Sequence, residues 1–268
     1  VNAMNALDTA LGHTGGGTLE GTVALVTGAS SGIGRATAQA LSAQGATVAL
    51  VARRADRLKE LADEILDAGG RAVVVVADVA DEDRAREAVE EVVRQCGRLD
   101  TVVNNAGVML LGPVRGAPRE EWRRMVDINV RGLLAVTHAS VEYLVEAARS
   151  GPRQVADLVN VSSIAGRTAR VGTAVYNLTK WGVGAFSEAL RQELAPEFVR
   201  VSVIEPGATT TELITHVRPE VREQSASRTA GVERLQAAHI ASSISYMVCQ
   251  PRGVAVNEIM IRPTNQVY

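Results

Sequence analysis

Cysteine, lysine and aromatic residues are all scarce in this chain. It has two cysteines, two lysines and 3% aromatics among 268 residues. Cys96 and Cys249 have neither metal-ligand spacing nor a disulfide framework, so no metal centre is expected and a reducing, cytoplasmic setting is. The shortage of aromatics excludes a stacking platform for single-stranded nucleic acid. A formal net charge of −2 offers no general attraction to nucleic acid or to an anionic membrane surface. No apolar run approaches the ~18–20 residues needed to span a bilayer. What remains is 46% hydrophobic and 22% charged, the balance of a globular core with a solvated surface.

Residues 1–20 read as a flexible tail. The segment GHTGGGT at 12–18 is glycine-rich and without apolar periodicity. It lacks the basic and long apolar regions of a secretory signal. From Gly21 the pattern alternates to the end, so 21–268 reads as one domain. Apolar runs at 22–27, 47–52, 72–77, 101–105, 155–162, 199–206 and 253–261 predict seven strands. Helical periodicity is expected over 34–44, 56–68, 81–95, 120–148, 174–194 and 232–249, with a polar, weakly helical stretch at 211–231 that could close over a substrate as a lid. The run AVVVVA at 72–77 is uniformly apolar, which predicts a strand buried on both faces. Strands alternating with helices imply an α/β fold, a doubly wound seven-stranded parallel sheet of Rossmann type in three α/β/α layers. Ligands of such sheets sit beyond the carboxyl ends of the strands, near the switch in strand order.

The scarcity of lysine sharpens one motif. Tyr176 and Lys180 stand four apart at the start of a predicted helix, and residues at that spacing share a face. Four tyrosines and two lysines in 268 residues would meet at this spacing by chance about 0.03 times. An ammonium beside the phenol is expected to lower its pKa from ~10 and make it a usable acid and base. The alternative is a buried tyrosine and a surface lysine meeting by accident. Ser162 and Ser163 end the preceding apolar run, where a hydroxyl could hold a substrate carbonyl against the phenol.

A second cluster follows the first strand. Gly28, Ser30, Ser31, Gly32, Ile33 and Gly34 form a small-residue turn spaced G-x-x-x-G-x-G at a helix start. Small residues there let the backbone approach a pyrophosphate. The second strand ends in Ala52-Arg53-Arg54, with no carboxylate to repel a 2′-phosphate and two guanidiniums to bind one. NADP(H) is therefore expected over NAD(H). Asp78 and Val79 end the third strand and Asn105, Ala106 and Gly107 the fourth, at the same crevice. Asn129 is a polar amide among apolar neighbours, which requires hydrogen-bond partners.

Together TGASSGIG (27–34), DV (78–79), NNAG (104–107), Asn129, Ser163, YNLTK (176–180) and PGATTT (206–211) resemble the short-chain dehydrogenase/reductase family, over roughly 21–261. The resemblance implies a catalytic set of Asn129, Ser163, Tyr176 and Lys180. Tyr176 would be the general acid/base, and Lys180 would lower its pKa and hold the nicotinamide ribose. Ser163, thirteen residues before Tyr176, would orient the carbonyl, and Asn129 would anchor a proton-relaying water. Pro206, Gly207, Thr209 and Thr211 match the segment that holds the carboxamide and pyrophosphate. NNAGVMLLGPV (104–114), SSIAGR (162–167) and EIMIRPTNQV (258–267) are similar to the branch that includes clavulanic acid dehydrogenase, which implies NADPH and carbonyl reduction. A homotetramer or homodimer is implied as well. The substrate wall is expected to draw on Met109, Leu110, Leu111, Ala165, Arg167, Val171, Leu213 and His216, of which Arg167 or His216 could attract an anion. The rival readings are a non-catalytic NADP(H)-binding sensor or scaffold and a sugar-nucleotide epimerase or dehydratase. Arginine preferred to lysine, with abundant alanine, suggests a GC-rich bacterial genome, a setting that fits specialised metabolism.

Overall fold

Every residue of β1 (Val23–Thr27) is buried, because this strand lies inside the sheet with neighbours on both sides. The computed structural model describes residues 18–228 and 231–267, of which 224–228 are described by backbone alone. After β1 come α1 (Gly32–Ala43), β2 (Thr47–Ala52), α2 (Ala55–Asp67), β3 (Arg71–Val76), α3 (Glu82–Cys96) and β4 (Thr101–Asn104). The chain continues through α4 (Arg119–Val126), a π-helical turn at Asp127–Gly132, α5 (Leu133–Ser150), β5 (Ala156–Val161), α6 (Ala174–Leu194) and β6 (Val199–Pro206). The remaining elements are β7 (Thr209–Thr210), α7 (Pro219–Arg228), β8 (Leu235–Gln236), α8 (Ala237–Val248) and β9 (Glu258–Ile261).

Seven strands pair in parallel in the order β3-β2-β1-β4-β5-β6-β9. Successive side chains of a strand point to opposite faces. Val23 and Leu25 accordingly join the core under α3, α5 and α6, whereas Ala24 and Val26 join the core under α1, α2 and α8. The result is the expected three-layer α/β/α arrangement. Each fully buried leucine, such as Leu25, Leu41, Leu61 or Leu158, contributes about 2 kcal/mol of transfer free energy. The strand order reverses between β1 and β4, so a crevice opens beyond their carboxyl ends.

Two expectations are corrected. The uniformly apolar third strand is not buried on both faces: β3 is an edge strand, Val75 is buried, and Val76 is 44% exposed. Having one neighbour only, it is covered incompletely by the flanking helices. The tail does not extend to residue 20. Leu19 is fully buried and its amide donates to the Gln44 carbonyl at 2.9 Å, so residues 18–20 belong to the folded core. Residues 1–17 lie outside the described residues. The long helical segment expected over 120–148 is helical throughout and includes a π-helical turn at Asp127–Gly132. Gly132 there packs on the Val79 carbonyl, 2.6 Å from where a Cβ would stand, so the helix passes close to the chain that follows β3. Such turns recur at functional sites, and this one carries Asn129.

Candidate active site

The crevice begins with Thr27, the last residue of β1. Its Oγ1 accepts hydrogen bonds from the amides of Asn105 and Ala106, both at 3.0 Å, and so clamps the end of β4 to the end of β1. Asn105 returns the contact by donating Nδ2–H to the Thr27 carbonyl at 2.9 Å. The turn that follows needs its glycines. Gly28 has φ +66°, and a Cβ on Gly34 would lie 2.4 Å from both Asn105 Nδ2 and the Gly28 carbonyl oxygen. Helix α1 therefore starts directly against the turn. Its N-cap residue, Ser31, makes no side-chain capping bond. First-turn amides left without a side-chain cap, beside a backbone that only glycine permits, make a cradle that fits a pyrophosphate.

At the end of β2 the two arginines have different surroundings. Arg53 is 57% exposed at its side chain and reaches Asp78 at 3.4 Å. Asp78 also accepts the Ala80 amide at 3.1 Å, a turn contact. Arg54 is committed: Nη2 donates to Ser30 Oγ at 2.9 Å and Ser31 Oγ at 2.8 Å, and Nη1 to Glu212 at 2.9 Å. Glu212 also takes Arg57 at 2.5 Å. The bonds from these two guanidiniums hold its carboxyl at about 2.

The residues expected to react gather near the end of β5. Ser163 is extended and accepts the Ala165 amide at 3.1 Å, capping the 3₁₀ turn Ile164–Gly166. Tyr176 is 6% exposed in a small apolar cluster with Val108, Leu110, Met125 and Ile128. Lys180 Nζ lies 5.9 Å from the centre of the Tyr176 ring and donates to the Val161 carbonyl at 2.8 Å. The expected lowering of the phenol pKa is not what this geometry gives. Burial pushes Tyr176 up to about 12, and a hydrogen bond with Ser163 pulls the other way. Burial also lowers Lys180 to about 8. At neutral pH the pair is thus a protonated phenol beside a buried ammonium. Asn129 is satisfied by its neighbours. Its Oδ1 accepts the Val108 amide at 2.8 Å, and its Nδ2 donates to the Val108 carbonyl at 2.9 Å and Thr179 Oγ1 at 3.2 Å. Gly107 fills the gap between Asn129 and Lys180, with a Cβ position 3.3 Å from Asn129 Oδ1 and 3.9 Å from Lys180 Nζ.

All of the expected site residues line one cleft of about 500 Å³, except Gly34 and Asn129, which stand behind its wall. Pro206, Gly207, Thr209 and Thr211 close its far side, where Thr211 accepts the Leu213 amide at 3.3 Å and caps the 3₁₀ helix Glu212–His216. Of the expected substrate wall, Met109, Leu111, Ala165, Leu213 and His216 line the cleft. Leu110 is buried beneath it, and Val171 is 81% exposed outside it. Arg167 is not an anion attractor: it is paired with buried Glu205 at 2.8 Å and with Glu258 at 2.5 Å. His216 is poorly suited to the part, because partial burial and the nearby Arg124 and Arg53 lower its pKa. The 211–231 stretch is anchored in its described part by buried Val217 and Val221 and by Arg218, which pairs with Glu121 at 2.8 Å. Residues 229–230 lie outside the described residues. Sequence reasoning missed Glu212 and Gln266. Gln266 accepts the Ala208 amide at 2.9 Å and lines the cleft from near the carboxyl end of the chain. No spacing signal points to either residue.

Among the described residues no group of three or more His, Cys, Asp or Glu side chains could hold a metal ion. No helix among them is long and apolar enough to cross a membrane. Residues 22–222 match the short chain dehydrogenase family. The chain is 35% identical over 253 residues to an uncharacterized oxidoreductase of Listeria innocua, covering 94% of this chain and 100% of that one. A metagenomic short-chain oxidoreductase solved in complex with NADP superposes with a TM-score of 0.77 at 30% identity, over 92% of this chain and 99% of that one. The 3-ketoacyl-(acyl-carrier-protein) reductase of Brucella melitensis, solved with NADH, superposes with a TM-score of 0.78 at 33% identity, over 91% and 97%.

Proposed function

The chain belongs to the short chain dehydrogenase family, and on that premise we propose that it transfers hydride between NADP(H) and a small-molecule carbonyl or alcohol, acting chiefly as an aldehyde or ketone reductase. The observation that carries this reading is the cluster of Ser163, Tyr176 and Lys180, a protonated phenol and a buried ammonium opening onto the same cleft as the glycine cradle. The nicotinamide, when bound, supplies the hydride. Ser163 and Tyr176 donate hydrogen bonds to the carbonyl oxygen, where negative charge develops. Tyr176 then gives up its proton, and the Lys180 ammonium stabilises the phenolate left behind. Asn129 positions Val108 and Thr179, and through them the loop after β4 and the Lys180 turn of α6. Gly28, Ser30, Ser31, Gly32 and Ile33 would hold the pyrophosphate, with Gly34 giving the turn room behind them, Asp78 and Val79 would face the adenine, and Thr209 and Thr211 would hold the carboxamide side.

The preference for NADP(H) rests on Ala52, which puts no carboxylate at the end of β2, and on exposed Arg53. The solved relatives bear on it from both sides, one holding NADP and the other NADH. The comparisons support the family and not the clavulanic acid dehydrogenase branch, so no substrate is carried over from it. A sensor or scaffold would need no buried proton donor, which counts against that reading. Self-association as a homotetramer or homodimer is supported by apolar surface on two helices, Leu134 at 39% exposure on α5 and Leu178 and Trp181 at 66% and 50% on α6. A cytoplasmic setting fits two free cysteines.

Oxidation of NADPH, followed at the nicotinamide absorbance against a panel of aldehydes, ketones and quinones with NADH alongside, tests the reading. Turnover of a carbonyl with NADPH supports it, and tight NADPH binding with no carbonyl or alcohol turnover would favour the sensor. Arg53→Ala should raise the Kd for NADPH much more than that for NADH, on the order of tenfold for one lost charge-assisted contact. Equal changes would remove Arg53 from the 2′-phosphate site.

A further inference from the structure

Glu212 lines the same cleft, on the segment that follows β7, yet its carboxylate reaches back to the start of α2. One oxygen accepts Arg54 Nη1–H at 2.9 Å and the other accepts Arg57 Nη1–H at 2.5 Å. The partners lie 158 and 155 residues away along the chain. Arg54 spends its remaining bonds on Ser30 and Ser31, in the glycine-rich turn. The three charged side chains are each about 40% exposed, at 39%, 41% and 43%, so they are solvated enough to exchange partners. An anion thus already sits on the guanidinium best placed to share a 2′-phosphate with Arg53.

We propose that Glu212 sets the discrimination between 2′-phosphorylated and 2′-hydroxyl cofactors by competing with the 2′-phosphate for Arg54. This rests on the reading of the cleft as a dinucleotide site. A phosphate dianion entering beside Arg53 meets a carboxylate on the next guanidinium. Part of its attraction to the arginines is cancelled by repulsion from Glu212. A 2′-hydroxyl carries no charge and feels neither effect. Glu212 therefore acts as a brake on affinity for the phosphorylated cofactor alone. Its low pKa keeps the charge in place at neutral pH. Arg57 has a complementary part: it screens Glu212 and weakens the brake.

The test is the ratio of Kd for NADH to Kd for NADPH, measured by calorimetry, because a change in lid closure moves both constants and leaves their ratio alone. Glu212→Gln keeps an acceptor for the arginines and removes the charge. The ratio is expected to rise on the order of tenfold, the effect of one unit charge a few ångströms away at a half-exposed site. Arg57→Gln leaves Glu212 less screened and is expected to lower the ratio. Adenosine 2′,5′-bisphosphate measured against adenosine 5′-monophosphate should repeat both shifts without any nicotinamide. A Glu212→Gln protein that weakens both cofactors equally, or in which the ratio falls, overturns the proposal. Failure of wild-type protein to bind either dinucleotide would instead overturn the functional reading beneath it.

Discussion

Replacing Lys180 by methionine is expected to make the protein more stable and less active at once. The side chain is 7% exposed and donates to the Val161 carbonyl at 2.8 Å. Burial lowers its pKa from 10.5 to about 8, which corresponds to about 3 kcal/mol of disfavoured charge at neutral pH. Methionine has a similar length and no charge. It forfeits the charge-assisted bond to Val161, which contributes about 2 kcal/mol. The variant should therefore gain about 1 kcal/mol at pH 7. Below pH 8 the folded and unfolded chains both carry the lysine proton, and the penalty is felt in full. Between about 8 and 10.5 the unfolded chain holds more protons, so wild-type stability rises with pH and the advantage of the variant shrinks. Urea denaturation followed by circular dichroism, at pH 7 and again near pH 10, reads both effects. A variant less stable than wild type at pH 7, or a difference that does not move with pH, would refute the reasoning. The same ionisation should appear in catalysis: kcat/KM for carbonyl reduction is expected to fall above pH 8, as Lys180 loses its charge.

Gly34→Ala should raise the Kd for NADPH more than tenfold with the circular dichroism spectrum unchanged, because a Cβ 2.4 Å from the Gly28 carbonyl must push the α1 start away from the cradle. Arg167→Met should lower stability in urea by about 2 kcal/mol, since it takes a partner from buried Glu205 while the arginine itself is 40% exposed. It should leave the preference among neutral and anionic carbonyl substrates as it is, because Arg167 does not line the cleft.

The parts of the fold written locally were legible. Apolar runs such as VRVSVIEP and the alternation of strand with helix gave the parallel sheet, and short motifs at the strand ends brought nearly all the expected residues to one cleft. What depends on distant partners was not legible. The run at β3 has the composition of an interior strand, but the strand order leaves it at an edge, and composition carries no information about order. A π-helical turn shifts the helix by one residue, too little to disturb the apolar period across Asp127–Gly132. The partners of Arg54 and Arg167 lie 158 and 38 residues away, so the sequence offers two arginines near a site and not the carboxylates that hold them. The Tyr176–Lys180 spacing was legible and its electrostatics were not. How strongly burial works against the phenolate and the ammonium depends on the walls around them, which come from the loop after β4, from α4 with the π-helical turn, and from β5.

The most direct test of the central claim is NADPH-dependent reduction of a carbonyl substrate by Tyr176→Phe beside wild type, with NADPH affinity measured in parallel. The phenyl ring keeps the packing among Val108, Leu110, Met125 and Ile128 and loses only the proton donor. A fall in kcat of roughly 10²–10⁴-fold is expected, with the Kd for NADPH changed less than tenfold. Turnover at the wild-type rate would contradict the assignment of Tyr176 as the proton donor, and with it the catalytic reading of the cleft.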